Sequence, residues 1–278
     1  MSAIRKYIRW LVLLLLVILG AILSVLLLRN TISPHDRSGK IITTWLGTVA
    51  YTLGVRIKTC GQPLPEKTLF VANHISWLDI LILGHLTPVH FLSKHEVKSM
   101  PVVGWLATRA GTLYIQRGNT RSASDSSSEI TAVLRQNHNS LIFAEGTTTD
   151  GNVKKFHSRM MQSAIDAHAM VQPVAIYYPY TNPDSQKVET NPAALFIGNM
   201  SIGESADKIF RERRIDVEVH YLEPIESKGA TRDQISHHDY DEVVDALERR
   251  TNREPLLFIY FRYVHHSRER YQPHDQNI

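Results

Sequence analysis

Residues 68–80 read Thr-Leu-Phe-Val-Ala-Asn-His-Ile-Ser-Trp-Leu-Asp-Ile, a short apolar run followed at once by an imidazole and a carboxylate. His74 and Asp79 are five positions apart, and five residues of an α-helix turn through about 500°, so the two side chains cannot share one helical face. They can meet if His74 lies in a strand-to-helix turn and Asp79 in the first helical turn. Asp79 would then hold one ring nitrogen of His74 and leave the other free as a general base. The alternative is a surface histidine beside a helix start.

Short apolar runs alternate with amphipathic stretches along most of the chain. The pattern predicts strands at 55–59, 69–72, 89–92, 112–116, 140–143, 171–178 and 215–222, and helices at 41–53, 80–85, 102–110, 124–136, 158–169 and 240–253. Such alternation predicts an α/β fold with a mixed, mostly parallel sheet flanked by helices. We divide the chain into a membrane anchor (1–30), a connector with an amphipathic helix (31–54), an α/β domain (55–264) and a polar tail (265–278).

The N-terminal stretch 10–28 contains no charged residue. At 1.5 Å per helical residue it reaches about 28 Å, close to the thickness of the hydrocarbon core of a bilayer. A cleaved signal peptide is the alternative, but the apolar run is long for one and no small-residue cleavage site follows it. The sequence therefore predicts a retained membrane helix. Basic residues lie on both sides of it, so charge does not decide its orientation.

The composition narrows the class of protein. Of the 278 residues, 43% are hydrophobic, and the formal net charge is +4 without any Lys/Arg-rich block, which argues against a nucleic-acid partner and favours a membrane surface or anionic substrates. Cys60 is the only cysteine, so no intrachain disulfide can form. The adjacent pairs His237-His238 and His265-His266 raise the question of a metal, but adjacent side chains diverge and no frame of carboxylates surrounds them. We expect no metal and no cofactor.

Further polar residues follow predicted strands, and sites in open α/β sheets form beyond the carboxyl ends of strands. Arg117 follows one strand, and its guanidinium suits a phosphate or carboxylate, although a surface arginine is the alternative. Glu145 follows another, with Gly146 and Thr147 behind it; the glycine permits a sharp turn and the carboxylate can accept from a hydroxyl, the alternative being an ordinary loop acid. Pro173, at a predicted strand start, would shape the wall of the site.

Taken together, four blocks resemble those of the glycerolipid acyltransferases with the His-x4-Asp motif, and above all the bacterial-type 1-acyl-sn-glycerol-3-phosphate acyltransferases. Asn-His-x-Ser-x-x-Asp matches residues 73–79, Gly-x-x-aromatic-Ile-x-Arg matches 111–117, Phe-x-Glu-Gly-Thr matches 143–147, and the run around Pro-Val matches 171–176. The third block departs from the family, which often has Pro at the position of Ala144 and Arg at the position of Thr148. The nearby cations that are candidates to replace that arginine are Lys154, Lys155 and Arg159.

The resemblance implies a membrane-bound enzyme that transfers a fatty acyl group from a thioester of coenzyme A or acyl carrier protein to the hydroxyl of a lysolipid. It implies His74 as the base and Asp79 as its orienter, and Arg117 as the residue that holds the anionic head of the acceptor. Glu145, Gly146 and Thr147 would form the acceptor loop, while Asn73 and backbone amides are candidates to stabilise the oxyanion.

Several points of function stay open at this level. The preferred acceptor is 1-acyl-sn-glycerol 3-phosphate, giving phosphatidic acid in phospholipid biosynthesis, and lyso-ornithine lipid is the alternative. An acyl hydrolase that uses water as acceptor and a noncatalytic lipid-binding protein are the rival classes. The expected location is a bacterial inner membrane with the catalytic domain in the cytoplasm, where acyl thioesters are made.

Overall fold

The computed structural model describes residues 2–26, 37–116 and 120–251, in which helices and strands alternate. The helices are α1 (Ser2–Leu26), α2 (Arg37–Thr52), α3 (Leu78–Leu86), α4 (His95–Lys98), α5 (Val103–Arg109), α6 (Thr120–Arg135), α7 (Gln162–Ala167), α8 (Ile202–Arg211) and α9 (Arg232–Thr251), with a 3₁₀ turn at Ser158–Met161. The strands are β1 (Val55–Cys60), β2 (Thr68–Ala72), β3 (His90–Lys94), β4 (Leu113–Ile115), β5 (Ser140–Phe143), β6 (Met170–Tyr177), β7 (Pro179–Thr181), β8 (Val188–Thr190), β9 (Ile215–Tyr221) and β10 (Ile225–Glu226).

The central sheet has the strand order β1-β9-β6-β2-β5-β3-β4, with β10 added beside β6. Strands β6, β2, β5, β3 and β4 run parallel, whereas β9 is antiparallel to β6 and parallel to β1. The mixed, mostly parallel sheet predicted from the sequence is therefore confirmed. Because β2 lies between β6 and β5, the ends of these three strands meet at one edge of the sheet.

Each face of the sheet carries its own apolar core, as expected for parallel strands covered on both sides. In β2, Phe70 and Ala72 point to one face, and Leu69 and Val71 to the other. The first core is closed by α2, α3 and α8 and includes Leu46, Leu53, Leu78, Ile82, Ile209 and Phe210. The second is closed by α6, α7 and α9 and includes Ile130, Leu134, Met161, Ala164, Ile235 and Val243.

Helix α1 is long and apolar enough over Ile4–Leu26 to cross a membrane, by length and composition. One of its faces packs on the α/β domain: the Trp10 ring lies 4.5 Å from that of Phe210, and the indole N–H of Trp45 donates to the Leu16 carbonyl at 2.8 Å. The opposite face exposes a stripe of large apolar side chains, namely Ile4, Tyr7, Ile8, Leu11, Leu14, Leu15, Ile18, Leu19, Ile22, Val25 and Leu26. Helix α1 is thus docked along one side and apolar along the other.

Some predicted elements were wrong or incomplete. Helix α8 was missed, although Ser201 and Glu204 form the capping box that marks its start. The predicted helix 158–169 is a 3₁₀ turn followed by a short helix. The segment after residue 178, where no strand was predicted, contains the hairpin β7–β8. Helix α9 begins at Arg232, before the predicted start at residue 240. The prediction missed the first two turns because they are mostly polar and show little apolar periodicity. The predicted tail 265–278, with its histidine pair, lies outside the described residues.

Candidate active site

The turn between β2 and α3 brings His74 and Asp79 together. His74 follows the end of β2, and Asp79 is the second residue of α3. The Nδ1 atom of His74 lies 2.8 Å from Oδ2 of Asp79. The histidine side chain is 16% exposed, whereas the aspartate is completely buried. The local geometry inferred from the spacing is therefore present, with a buried carboxylate behind a partly open imidazole.

The Asp79 carboxylate is held by hydrogen-bond donors on both oxygens. Besides His74, Oδ2 accepts from the backbone N–H of Ile75 at 2.8 Å and of Ser76 at 3.0 Å. On the other side, Oδ1 accepts from the hydroxyl of Tyr178 at 2.5 Å. Burial, and then the negative charge of Asp79, raise the pKa of Tyr178 well above its usual value, so this hydroxyl stays a neutral donor. These bonds leave the carboxylate a single orientation, with Oδ2 toward the imidazole.

The imidazole of His74 is also fixed in its plane. Its ring stacks on Phe143, with centroids 3.8 Å apart and an interplanar angle of 12°. Within the part of the chain that the structure describes, Nε2 makes no hydrogen bond. The nitrogen opposite Asp79 is therefore the atom available to a substrate hydroxyl, as general-base chemistry requires.

Glu145 connects the loop after β5 to the His74 turn. Its Oε1 accepts from the backbone N–H of His74 at 2.8 Å, and its Oε2 accepts from that of Lys154 at 2.7 Å. Burial raises the pKa of this carboxyl, and the two backbone hydrogen bonds partly oppose that effect. Gly146 next to it adopts a left-handed φ of 68°, which confirms the sharp turn expected at this glycine. Glu145 thus holds the backbone of His74. The predicted contacts of Glu145 and Thr147 with an acceptor stay predictions.

Asn73 lies just before His74 and uses both ends of its amide on β6. Its Oδ1 accepts from the backbone N–H of Ile176 at 2.8 Å, and its Nδ2 donates to the carbonyl of the same residue at 3.0 Å. Asn73 is completely buried. This placement favours a structural role that locks β2 to β6, rather than the predicted role as an oxyanion donor.

Pro173 lies inside β6 and not at its start, which corrects the predicted position. It pairs with Val71 in the parallel register, and its carbonyl accepts from the N–H of Leu222 at 3.0 Å, where β9 has ended. The N–H and C=O of a strand residue point to the same side of the strand. A residue other than proline at position 173 would therefore direct its N–H toward the side where β9 has ended, so the absence of this donor removes no regular β6–β9 hydrogen bond. Its role as a wall of the site stays a prediction.

Arg117 lies outside the described residues. The strand that precedes it, β4, is the edge strand of the sheet and is separated from β2 by β5 and β3. Strands are about 4.8 Å apart, so β4 runs roughly 14 Å from β2. The contact of Arg117 with the acceptor stays a prediction.

His237 and His238 lie on α9, where Nδ1 of His238 is 3.3 Å from Oδ1 of the buried Asp239. Within the described ranges, no group of three or more His, Cys, Asp or Glu side chains is arranged to hold a metal ion.

Sequence reasoning missed two residues that shape this site. Tyr178 binds Asp79 from the end of β6, and Phe143 stacks on His74 from the end of β5. Phe143 is the first residue of the third block, and Tyr178 lies two residues beyond the Pro-Val run at 171–176. The available signal was their place at strand ends that converge on His74.

Comparisons with known proteins agree with this geometry. A family model described as Acyltransferase matches residues 56–177, a range that contains all four blocks. The chain is 40% identical over 194 residues to the lyso-ornithine lipid O-acyltransferase of Pseudomonas aeruginosa, covering 69% of this chain and 72% of that protein. It is 35% identical over 150 residues to the 1-acyl-sn-glycerol-3-phosphate acyltransferase of Neisseria gonorrhoeae, covering 52% and 58%.

The fold also has a counterpart among solved structures. The 1-acyl-sn-glycerophosphate (LPA) acyltransferase PlsC from Thermotoga maritima superimposes with a TM-score of 0.59, covering 90% of this chain and 99% of that one at 19% identity. At that identity the likeness concerns the fold. The sequence matches show that the chain belongs to the acyltransferase family.

Proposed function

We propose that this acyltransferase transfers a fatty acyl group from an acyl thioester to the hydroxyl of lyso-ornithine lipid. The motifs alone favoured 1-acyl-sn-glycerol 3-phosphate. The preference changes because the Pseudomonas aeruginosa lyso-ornithine lipid O-acyltransferase is 40% identical over an alignment that covers 72% of its length, whereas the Neisseria gonorrhoeae phosphate-acceptor enzyme is 35% identical over 58% of its length.

The observation that supports acyl transfer is the His74–Asp79 pair with its open Nε2 atom. In the proposed reaction, Nε2 takes the proton of the acceptor hydroxyl as its oxygen attacks the thioester carbonyl. The tetrahedral intermediate then expels the thiolate, which receives the proton from the imidazolium. The acyl group moves in one displacement, so no covalent acyl-enzyme is required.

The surroundings of the pair suit this proton transfer. The Asp79 carboxylate fixes the tautomer of His74 and stabilises the imidazolium that forms. Its position does not depend on the substrate, since two backbone N–H groups and Tyr178 hold it. Such preorganised charge lowers the barrier without reorganisation during the reaction.

The acceptor assignment has support at Thr148. The family often has an arginine at this position, whereas the hydroxyl of Thr148 donates to the backbone carbonyl of Phe196. The third block therefore supplies no cation at this position. That arrangement suits the single carboxylate of lyso-ornithine lipid better than the dianionic phosphate of lysophosphatidate.

An acceptor panel tests the proposal. Full-length protein in mixed micelles would receive a labelled acyl thioester, on coenzyme A or on acyl carrier protein, with lyso-ornithine lipid, lysophosphatidate or no lipid. We expect label in the lyso-ornithine product and little in the others, with His74→Ala as the inactive control. Label in phosphatidic acid alone would reverse the assignment, and free fatty acid without any lipid product would indicate a hydrolase. The two thioesters also identify the donor.

Lysophosphatidate is the second candidate, favoured by three exposed cations in the segment after the third block, Lys154, Lys155 and Arg159, of which Lys154 binds Glu145 through its backbone N–H. If it is the acceptor, Arg117→Ala should raise the apparent KM for lysophosphatidate and leave donor binding unchanged.

We also propose that the enzyme works on the cytoplasmic side of a bacterial inner membrane. The exposed apolar stripe of α1 supports membrane association, and the cytoplasmic supply of acyl thioesters supports the orientation. Labelling of Lys154 by a membrane-impermeant reagent should succeed in broken cells and fail in intact ones.

A further inference from the structure

A segment outside the four blocks crosses between the parts of the site. Residues 191–197, which we name the strap, begin where the N–H of Asn191 donates to the Tyr178 carbonyl at 2.8 Å. The strap then enters the core at Ala194, which is completely buried. Near its end, the N–H of Phe196 donates to the Ile75 carbonyl at 3.2 Å. The strap therefore contacts two residues that themselves bind Asp79.

The third block closes this arrangement through Thr148, whose hydroxyl donates to the Phe196 carbonyl. The next residue, Thr149, donates to the His74 carbonyl from its backbone N–H at 2.8 Å and from its hydroxyl at 3.3 Å. Phe196 is thus bound by its N–H to the His74 turn and by its carbonyl to the loop after β5. A shift of the strap would pull on the backbone on either side of His74.

We propose that Thr148 is a positioning residue that ties the strap to the catalytic turn and thereby helps to select the acceptor; the acceptor named here rests on the proposed function. The hydroxyl acts through the backbone of Phe196 and need not touch substrate. The strap presents Ile197 to the surface with 39% of its area exposed, next to a partly buried Leu195 on the core. With the strap held in place, the backbone on both sides of the partly exposed His74 keeps one position.

The chemistry of residue 148 explains why a hydroxyl is needed. The hydroxyl of threonine is one bond beyond Cβ. It can therefore reach the Phe196 carbonyl only when the backbone of the strap lies close to the backbone of residue 148. Valine has the same shape without the donor and would leave the Phe196 carbonyl without this partner, whereas serine keeps it. An arginine carries its donors several bonds further out and cannot make this bond without moving the strap.

The test compares Thr148→Val with Thr148→Ser in the full-length enzyme. Thr52→Val is the matched control, because it removes a threonine hydroxyl that donates to the carbonyl of Thr48 on α2, outside the site. With the acceptor that the wild type prefers, we expect Thr148→Val to raise acceptor KM and lower kcat/KM by about two- to tenfold, the range for one hydrogen bond. The donor KM should stay unchanged, discrimination between lyso-ornithine lipid and lysophosphatidate should narrow, and serine should restore both values.

Amide hydrogen exchange provides a readout that does not depend on the acceptor. Peptides covering residues 191–200 should exchange faster in Thr148→Val than in the wild type, Thr148→Ser or Thr52→Val. Unchanged exchange, or a kinetic change that serine does not restore, would overturn the proposal. If the wild type prefers lysophosphatidate, the acceptor assignment fails, while the Thr148 variants still decide the role of the strap.

Discussion

The hydroxyl of Tyr178 binds Oδ1 of Asp79 at 2.5 Å, on the side of the carboxylate opposite His74. Tyr178 is completely buried, so this bond lies in a region of low dielectric, where a hydrogen bond to a charged group is strong. The proposed base thus has an orienter that is itself oriented by a residue from another strand. A chain of contacts runs from the end of β6 through Asp79 to the open nitrogen of His74.

Replacing His74 by Ala should lower the rate of acyl transfer by about 10²–10⁴-fold, the usual contribution of a general base. Asp79→Asn should lose less, because two backbone N–H groups keep its amide oxygen toward His74. The substitution removes the charge and replaces the oxygen that accepts from Tyr178 with an amide nitrogen. Steady-state turnover measures both, with thermal unfolding to show that the variants are folded. Near wild-type turnover in a folded His74→Ala protein would refute the mechanism.

Tyr178→Phe should reduce kcat about tenfold with little change in acceptor KM. The substitution removes the hydroxyl that donates to the buried carboxylate of Asp79. A hydrogen bond to a charged group contributes about 1.5–3 kcal/mol, so Tm should also fall. Tyr51→Phe is the matched control, since this tyrosine is 67% exposed on α2. Equal turnover of Tyr178→Phe and the wild type would remove Tyr178 from the catalytic arrangement.

Glu145→Gln should lower turnover at neutral pH, because an amide nitrogen would then face one of the two backbone N–H groups that Glu145 binds. The expected loss of stability is about 1–3 kcal/mol. Glu248→Gln, an exposed change on α9, is the control.

The same pair of proteins tests the raised pKa of Glu145. A carboxyl whose folded pKa lies above its unfolded value of 4.5 contributes stability that is fully present below pH 4.5 and is lost as pH rises through the folded pKa. Glutamine does not titrate. The difference in unfolding free energy between wild type and Glu145→Gln should therefore shrink as pH rises above 4.5. Denaturant unfolding at several pH values measures this, and a difference that grows with pH would contradict the assigned direction.

Two neighbouring leucines of α1 should respond differently to a charge. Leu15 is 56% exposed on the free face, so Leu15→Glu should weaken vesicle binding with little effect on Tm. A charge at the centre of a membrane-inserted helix costs about 2.5–3.5 kcal/mol, which is roughly a hundredfold in partitioning. Leu16 packs against the core, so Leu16→Glu should lower Tm instead. Equal vesicle binding by Leu15→Glu and the wild type would exclude this face from membrane contact.

The amino-acid sequence by itself determined the α/β class and the apolar N-terminal helix, and it predicted that His74 and Asp79 can meet. These features follow from short-range sequence patterns. The periodicity of apolar residues sets the type of each helix or strand, and the five-residue spacing of His74 and Asp79 allows few backbone conformations in which the two side chains meet. The capping box at Ser201 shows that even the missed helix had a local signal.

Only the tertiary structure decided which distant groups surround the pair. Tyr178 is 99 positions from Asp79, and Glu145 is 71 positions from His74. They meet because β2 lies between β6 and β5 in the sheet. Strand order and register arise from packing on both faces of the sheet, which no local pattern specifies. The same packing directs the Glu145 carboxylate and the Asn73 amide to backbone groups, so their partners become visible only in the folded chain.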